Sequence, residues 1–197
     1  MESAGLHVGE LSARAIQKYF TAVVHNSCQD WERVEGFRVI ARSIRRAGVD
    51  FVVTVPDEWS KELLSLLERD RTLELVYATR EEEGVGIAAG AQMGGKNTAL
   101  MVQTSGLGNS INALASLNQA YRIPLLVLAS FRGGPGEEFY HKLFVGLSTK
   151  PTLGSLGIPC YELETPERAF SLIPDAFHQA QNANTPVVVL IHKRAFA

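Results

Sequence analysis

Six short runs dense in β-branched and aliphatic residues, separated by stretches with helical spacing, constrain this chain more than any other feature. The runs are FVVTV (51–55), LELVYAT (73–79), TALMVQT (98–104), PLLVLAS (124–130), a weaker CYEL (160–163) and PVVVLIH (186–192). Several are apolar almost throughout, as strands covered on both faces should be. Between them lie helix candidates at 59–69, 82–94, 109–121, about 141–156 and 166–181. Strand and helix in alternation predict parallel βαβ units, hence an α/β fold: a doubly wound, mostly parallel sheet of about six strands with helices on both faces. Ligands in such sheets bind beyond the carboxyl ends of the strands.

The first 30 residues stand apart. Positions 11–24 have helical spacing and are followed by the polar break HNSCQD (25–30), which makes residues 1–30 an extension, either a packing arm or a disordered lead-in. A further helix, about 31–47, leads into the first strand and opens a single domain over 31–197. With 197 residues, 46% of them hydrophobic, the chain is long enough for one well-cored domain and too short for two ordinary ones. Its 19 basic and 21 acidic residues are spread along the chain, leaving no electrostatic footprint for nucleic acid or an anionic membrane. Cys28 and Cys160 are far apart, and His25 beside Cys28 lacks a second ligand pair, so neither a disulfide framework nor a zinc site is expected. Without a basic and apolar leader or a long apolar span, the expected compartment is cytoplasmic.

Two glycine motifs invite a ligand. GAQMGGKN (90–97) has the spacing of a phosphate-binding P-loop, but Asn97 stands where Ser or Thr is needed, and the motif ends a helix instead of opening one. It reads better as a helix C-cap in which Gly94 and Gly95 make the left-handed turn. TSGLGNSIN (104–112) has the right context, a strand end entering a helix, with Gly106 and Gly108 permitting close backbone approach and Thr104, Ser105 and Asn109 as polar partners. It lacks the third glycine of a nicotinamide fingerprint.

TREEEGVGIAAGA (79–91) places Glu81, Glu82 and Glu83 at a helix start, where carboxylates complement the helix dipole by a few tenths of a kcal/mol each. Arg80 is placed to neutralise one of them. The small residues that follow, Gly84, Gly86, Ala88, Ala89, Gly90 and Ala91, weaken the helix and imply close approach by a neighbouring backbone or a partner subunit.

Glu81 with Gly86, Ile87, Ala88 and Gly90 at offsets of five, six, seven and nine resembles the glutamate motif in the pyrimidine-binding domain of thiamine diphosphate enzymes. TSGLGNSINALASLNQAYRIPLLVLAS (104–130) is similar to that family's glycine turn, helix and next strand. VPDEWSKELL (55–64), TREEEGVGIAAGAQMGGK (79–96) and SGLGNSINALASL (105–117) further resemble the α subunits of sulfopyruvate decarboxylases and the N-terminal halves of phosphonopyruvate decarboxylases. The resemblance covers about residues 33–193.

It implies that Glu81 hydrogen-bonds the pyrimidine ring of thiamine diphosphate, shifting its 4'-amino group toward the imine that takes the proton from thiazolium C2. Pro56, Thr104, Gly106, Gly108 and Asn109 would lie against the cofactor. The Gly-Asp-Gly motif that holds magnesium and the diphosphate in this family is missing, so Mg2+ is expected on a β-type partner subunit, with no metal bound by this chain. The implied protein is the α subunit of a heteromeric 2-oxoacid decarboxylase, pairing with its own copy within a hetero-oligomer. Its substrate would be a small 2-oxoacid, sulfopyruvate foremost. Candidate contacts to a second acidic group are Ser105, Asn109, Arg80, Arg132 and His141, with Lys142 beside them. Asp57 and Glu58 depart from the small polar or uncharged residues expected after Pro56, and would repel a dianion unless paired or turned away. Two other readings stay open: a non-catalytic pyrimidine-domain subunit, and a nucleotide-binding protein using GAQMGGKN.

Overall fold

Each central strand divides its side chains between two cores, one on either face of the sheet. Val52, Met101, Leu126, Leu128, Val187 and Val189 point into one; Val53, Leu100, Val102, Leu125, Val127 and Val188 point into the other. The two-residue repeat of a strand produces this division, and it explains why the runs are apolar without alternation. Burial of one such Val or Leu side chain contributes about 1.5–3 kcal/mol, so the central strands are the main store of hydrophobic free energy.

The computed structural model describes residues 35–134 and 137–196. The expected extension 1–30, with its helical segment, and the first residues of the helix expected from position 31 lie outside the described residues. Helix α1 covers 35–46. It is followed by β1 (Phe51–Thr54), α2 (Lys61–Glu68), β2 (Glu74–Tyr77), α3 (Glu81–Met93), β3 (Thr98–Gln103), α4 (Thr104–Asn109) and α5 (Ile111–Ala113). A π-helical segment (Leu114–Gln119) then leads to β4 (Leu125–Ser130), α6 (Tyr140–Ser155), β5 (Cys160–Leu163), α7 (Pro166–Ala183), β6 (Pro186–Ile191) and a 3-10 turn (Lys193–Phe196). All six strands are parallel, in the order β2-β1-β3-β4-β6-β5, as the alternation predicted. Helices α1, α2 and α7 cover one face, contributing Ile40, Leu63 and Phe177 to its core; α3, α4 and α6 cover the other with Val85, Leu107 and Leu153.

Two local departures bear on the site. The glycine segment 104–109, expected as a turn, is already helical from Thr104, so Gly106 and Gly108 lie within the first turns of a helix. The helix expected over 109–121 widens into a π-helix at Leu114, where the Ala120 amide donates to Ala115 O (3.2 Å). The wider turn lets the buried Asn118 amide reach Ile123 O (3.1 Å), tying the helix end to the entry of β4.

The strand order places β1 between β2 and β3, so the connection from β1 to β2 runs one way along the sheet and the connection from β2 to β3 runs back past β1 the other way. A crevice opens at that switch point, beyond the carboxyl ends of β1 and β3. Pro56, Asp57, Gln103 and Thr104 all stand at these ends.

Candidate functional site

The three glutamates of α3 have three different environments. Glu83 reaches back over the helix start, its Oε2 accepting the backbone amides of Thr79 (2.8 Å) and Arg80 (3.3 Å). This satisfies donors that would otherwise be orphaned beyond the helix. Glu82 pairs with Arg80, whose Nε lies 2.7 Å from its Oε1. That leaves Glu81, the half-buried first residue of α3, which has no hydrogen-bond partner among the described residues and whose side chain crosses to α4.

There it lies on Gly106. A β-carbon built at Gly106 would fall 2.3 Å from Oε1 and 2.4 Å from Cγ of Glu81, so only glycine leaves room for this carboxylate. The helical glycines of α3 divide in the same way. Gly84 packs on the sheet, with Leu100 Cδ1 only 2.9 Å from where its β-carbon would be, whereas Gly86 and Gly90 are exposed and meet nothing within 4 Å. Close approach within the chain therefore accounts for Gly84 and Gly106, and for no other glycine of these two segments. Gly108 and Asn109 are exposed on α4.

The GAQMGGKN segment is a structural joint. Gly95 takes the left-handed conformation (φ +88°) while Gly94 does not (φ −78°), and Lys96 pairs with Glu74 (3.4 Å). Asn97 donates to Gly48 O (2.9 Å), so its amide ties two loops at the amino ends of the strands, opposite the crevice.

At the crevice itself, the loops after β1, β3 and β4 are tied to one another. Asp57 Oδ1 accepts the Trp59 amide (2.7 Å) and its Oδ2 accepts the Ser130 hydroxyl (2.9 Å). Thr104 is buried, its Oγ1 accepting the Arg132 amide (3.1 Å). Arg132 is buried too: its Nε and Nη2 both donate to Glu137 (2.8 Å each), and its guanidinium stacks on Trp59 at 4.3 Å. The guanidinium holds the Glu137 carboxyl down to about 2, helped by the amides of Gly133 and Phe139. A buried guanidinium needs such a fork-to-fork partner. Of the cations expected near a substrate, Arg80 and Arg132 are thus each given to a carboxylate of this chain. His141 is exposed at the start of α6, its ring 5.8 Å from that of Phe139, and Glu58 is exposed at the rim of the crevice.

Lys142 is the residue that sequence reasoning undervalued. Its Nζ donates to Gln103 Oε1, which also accepts the Ser105 hydroxyl (2.9 Å). Nothing in the sequence marks Gln103, because its role depends on β3 and α6 meeting across the crevice. Two clefts share this wall: one of about 310 Å³ bounded by Pro56, Asp57 and Gln103, and one of about 170 Å³ bounded by Thr104, Ser105 and Val145. Arg132, His141 and Lys142 line both. On the far side of the sheet end, Glu162, Glu164 and His192 bring three ligand atoms within 4.8 Å of one another. Those carboxylates already face Lys150, His192 and Arg194.

Residues 34–142, more than half of the chain, match the family model of the thiamine pyrophosphate enzyme N-terminal TPP-binding domain. The chain belongs to the thiamine pyrophosphate enzyme family. It is 41% identical over 152 residues to the sulfopyruvate decarboxylase subunit alpha of Methanococcus maripaludis, a match covering 77% of this chain and 91% of that one. To the protein of the same name from Methanocaldococcus jannaschii it is 39% identical over 157 residues, covering 80% and 93%. In fold it is similar to a thiamine diphosphate-dependent 4-hydroxybenzoylformate decarboxylase from Rhodococcus jostii, with a TM-score of 0.64 and 23% identity over 82% of this chain and 31% of that longer one. In a thiamine pyrophosphate domain, a half-buried carboxylate seated on a bare glycine and lacking a partner among the described residues suits an aromatic ring bearing hydrogen-bonding nitrogens. Among the described residues, no helix is long and apolar enough to cross a membrane.

Proposed function

We propose that this chain is the α subunit of a heteromeric thiamine diphosphate-dependent decarboxylase acting on sulfopyruvate, releasing CO2 and sulfoacetaldehyde. The observation that carries this reading is Glu81. It is the one carboxylate of the α3 triplet without a partner among the described residues, and Gly106 leaves the space its side chain needs. Bound thiamine diphosphate would supply the nucleophilic carbon and the electron sink for CO2 loss. Glu81 would hold the pyrimidine ring through its carboxyl and keep a proton at the ring nitrogen. Pro56, Gly108 and Asn109 would form the surface against the cofactor. Thr104 would act indirectly, through its bond to the Arg132 backbone.

A partner subunit would bring the diphosphate and Mg2+. Support for a partner also comes from Tyr140, Phe144 and Leu147, which stand one helical turn apart on α6 and are 70–77% exposed. The names of the relatives support sulfopyruvate as substrate. The Asp57 carboxylate is held by Trp59 and Ser130, and the cleft it lines also carries Arg132, His141 and Lys142 for an anionic substrate.

The test is reconstitution with a polypeptide carrying the Gly-Asp-Gly domain, followed by CO2 release from sulfopyruvate, phosphonopyruvate and pyruvate. Activity is expected only from the pair, with sulfopyruvate preferred, and Glu81→Gln should remove it by at least about 100-fold. Turnover by the isolated chain, or undiminished turnover by the Gln variant, overturns the reading. A clear preference for pyruvate overturns the substrate.

A further inference from the structure

The cations around the crevice differ in what they face. Among the described residues, Arg80, Arg132, Lys150 and Arg194 each pair with a carboxylate of the same chain. Lys193 is exposed, its Nζ 5.8 Å from the Trp59 ring. Lys142 is half-buried, and its hydrogen-bond partner is the neutral amide oxygen of Gln103. Burial, followed by the nearby Arg132 charge, lowers the Lys142 pKa below that of an ordinary lysine. An ammonium in that state gains more from an incoming anion than a solvated one does.

The backbone beneath it is held. Gly133 adopts φ +85° and lies so close to α6 that a β-carbon there would be 2.2 Å from Lys142 O. Gly146, one turn further along, meets Arg132 O at 2.4 Å by the same measure. The loop after β4 and the first turns of α6 are therefore in backbone contact, which fixes where the Lys142 side chain starts. Gln103, from the end of β3, then draws the ammonium toward the crevice.

None of the neighbouring carboxylates among the described residues pairs directly with it, although Glu137, Asp57 and Glu58 favour its protonated form from a distance. Asp57 is occupied by the Trp59 amide and Ser130, and Glu137 by Arg132. Glu58 is exposed.

We propose that Lys142, oriented by Gln103 at the wall between the two clefts, binds the tetrahedral acidic group on C3 of the substrate and thereby selects sulfo- or phosphono-oxoacids over pyruvate. This rests on the decarboxylase reading and adds to it the residue that sets substrate class.

In the complex reconstituted with its partner, Lys142→Gln and Lys142→Met should lower the ratio of kcat/KM for sulfopyruvate to that for pyruvate by about 10- to 100-fold, the scale of a charged hydrogen bond. Lys142→Arg should keep most of that ratio, showing that the fold survives a change here. An unaltered ratio in the Gln and Met variants, or equal losses on both substrates, overturns the proposal. A second measurement uses the full chain without its partner: acetylation of Lys142 by an amine-reactive reagent, read by mass spectrometry. Sulfoacetate should slow labelling at Lys142 but not at the exposed Lys61, and acetate at equal ionic strength should not. Equal labelling in both overturns the anion site. If the complex turns over no acidic oxoacid while sulfoacetate still protects Lys142, the decarboxylase reading fails and the anion site stands.

Discussion

The carboxylate of Glu81 rests on the backbone of Gly106, in space that a single β-carbon would take up at 2.3 Å from its Oε1. The contact joins the helix after β2 to the helix after β3. Gly106→Ala places its methyl group against a side chain that can swing away, and alanine is better than glycine in a helix by about 0.5–1 kcal/mol. The expected outcome is a folded subunit with a melting temperature near that of the parent, and decarboxylase activity reduced at least about 10-fold in the reconstituted complex. Activity close to the parent's would show that the position of Glu81 does not depend on this contact.

The glycines of α3 should separate by stability alone. At Gly90 nothing lies within 4 Å of the place a methyl group would occupy, so Gly90→Ala should stabilise the isolated chain by about 0.5–1 kcal/mol. At Gly84 the methyl would press on Leu100 in the core, and the cost of overpacking, about 1–3 kcal/mol, should exceed the gain in helix propensity. Chemical denaturation should therefore rank Gly90→Ala above the parent and the parent above Gly84→Ala.

Arg132 and Glu137 are both nearly inaccessible, with side chains 6% and 3% exposed. Glu137→Gln leaves a buried guanidinium without its counter-charge and should destabilise the chain by about 3 kcal/mol. The same pair sets an acid limit. Because the Glu137 carboxyl titrates at about 2 in the folded chain against 4.5 for an ordinary glutamate, its stabilisation is complete above 4.5 and is lost as pH falls from there toward 2. Denaturation midpoints measured across that range should fall more steeply for the parent than for Glu137→Gln.

Lys142 supplies an alkaline signature. Its pKa is lowered by burial and by Arg132, while Glu137, Asp57 and Glu58 act in the opposite sense. An anion on the ammonium favours the protonated form, so sulfopyruvate binding is strongest below the Lys142 pKa and weakens as pH rises through it. KM for sulfopyruvate should climb at a pH below that of an ordinary lysine, and KM for pyruvate should not follow it. Parallel curves for the two substrates would argue against this role.

Much of this architecture is legible in one dimension. The runs from FVVTV to PVVVLIH are apolar on both faces and recur between helical stretches, and that pattern alone specifies a parallel, doubly wound sheet whose ligands sit beyond the strand ends. Strand positions follow from it closely, because the two-residue repeat and burial on both sides leave little choice. The motif around Glu81 likewise announces a thiamine pyrophosphate domain. The sequence does not say that segment 104–109 winds as helix from its first residue, since glycines at a strand end suit a turn equally well locally. Packing of Leu107 into the core beneath α3 decides that.

What each charged residue does was decided by tertiary structure. Glu81, Glu82 and Glu83 are chemically identical and adjacent, yet one caps the helix, one pairs with Arg80, and one crosses to Gly106. In sequence, Arg132 is a candidate substrate contact and Lys142 only a further cation beside it after the fourth strand. The structure gives Arg132 to Glu137 and leaves Lys142 on Gln103, a residue 39 positions earlier in the chain. Local sequence sets which backbone forms where, through repeat and propensity; the partner of a charge depends on which strand ends meet, and only the assembled sheet brings those ends together.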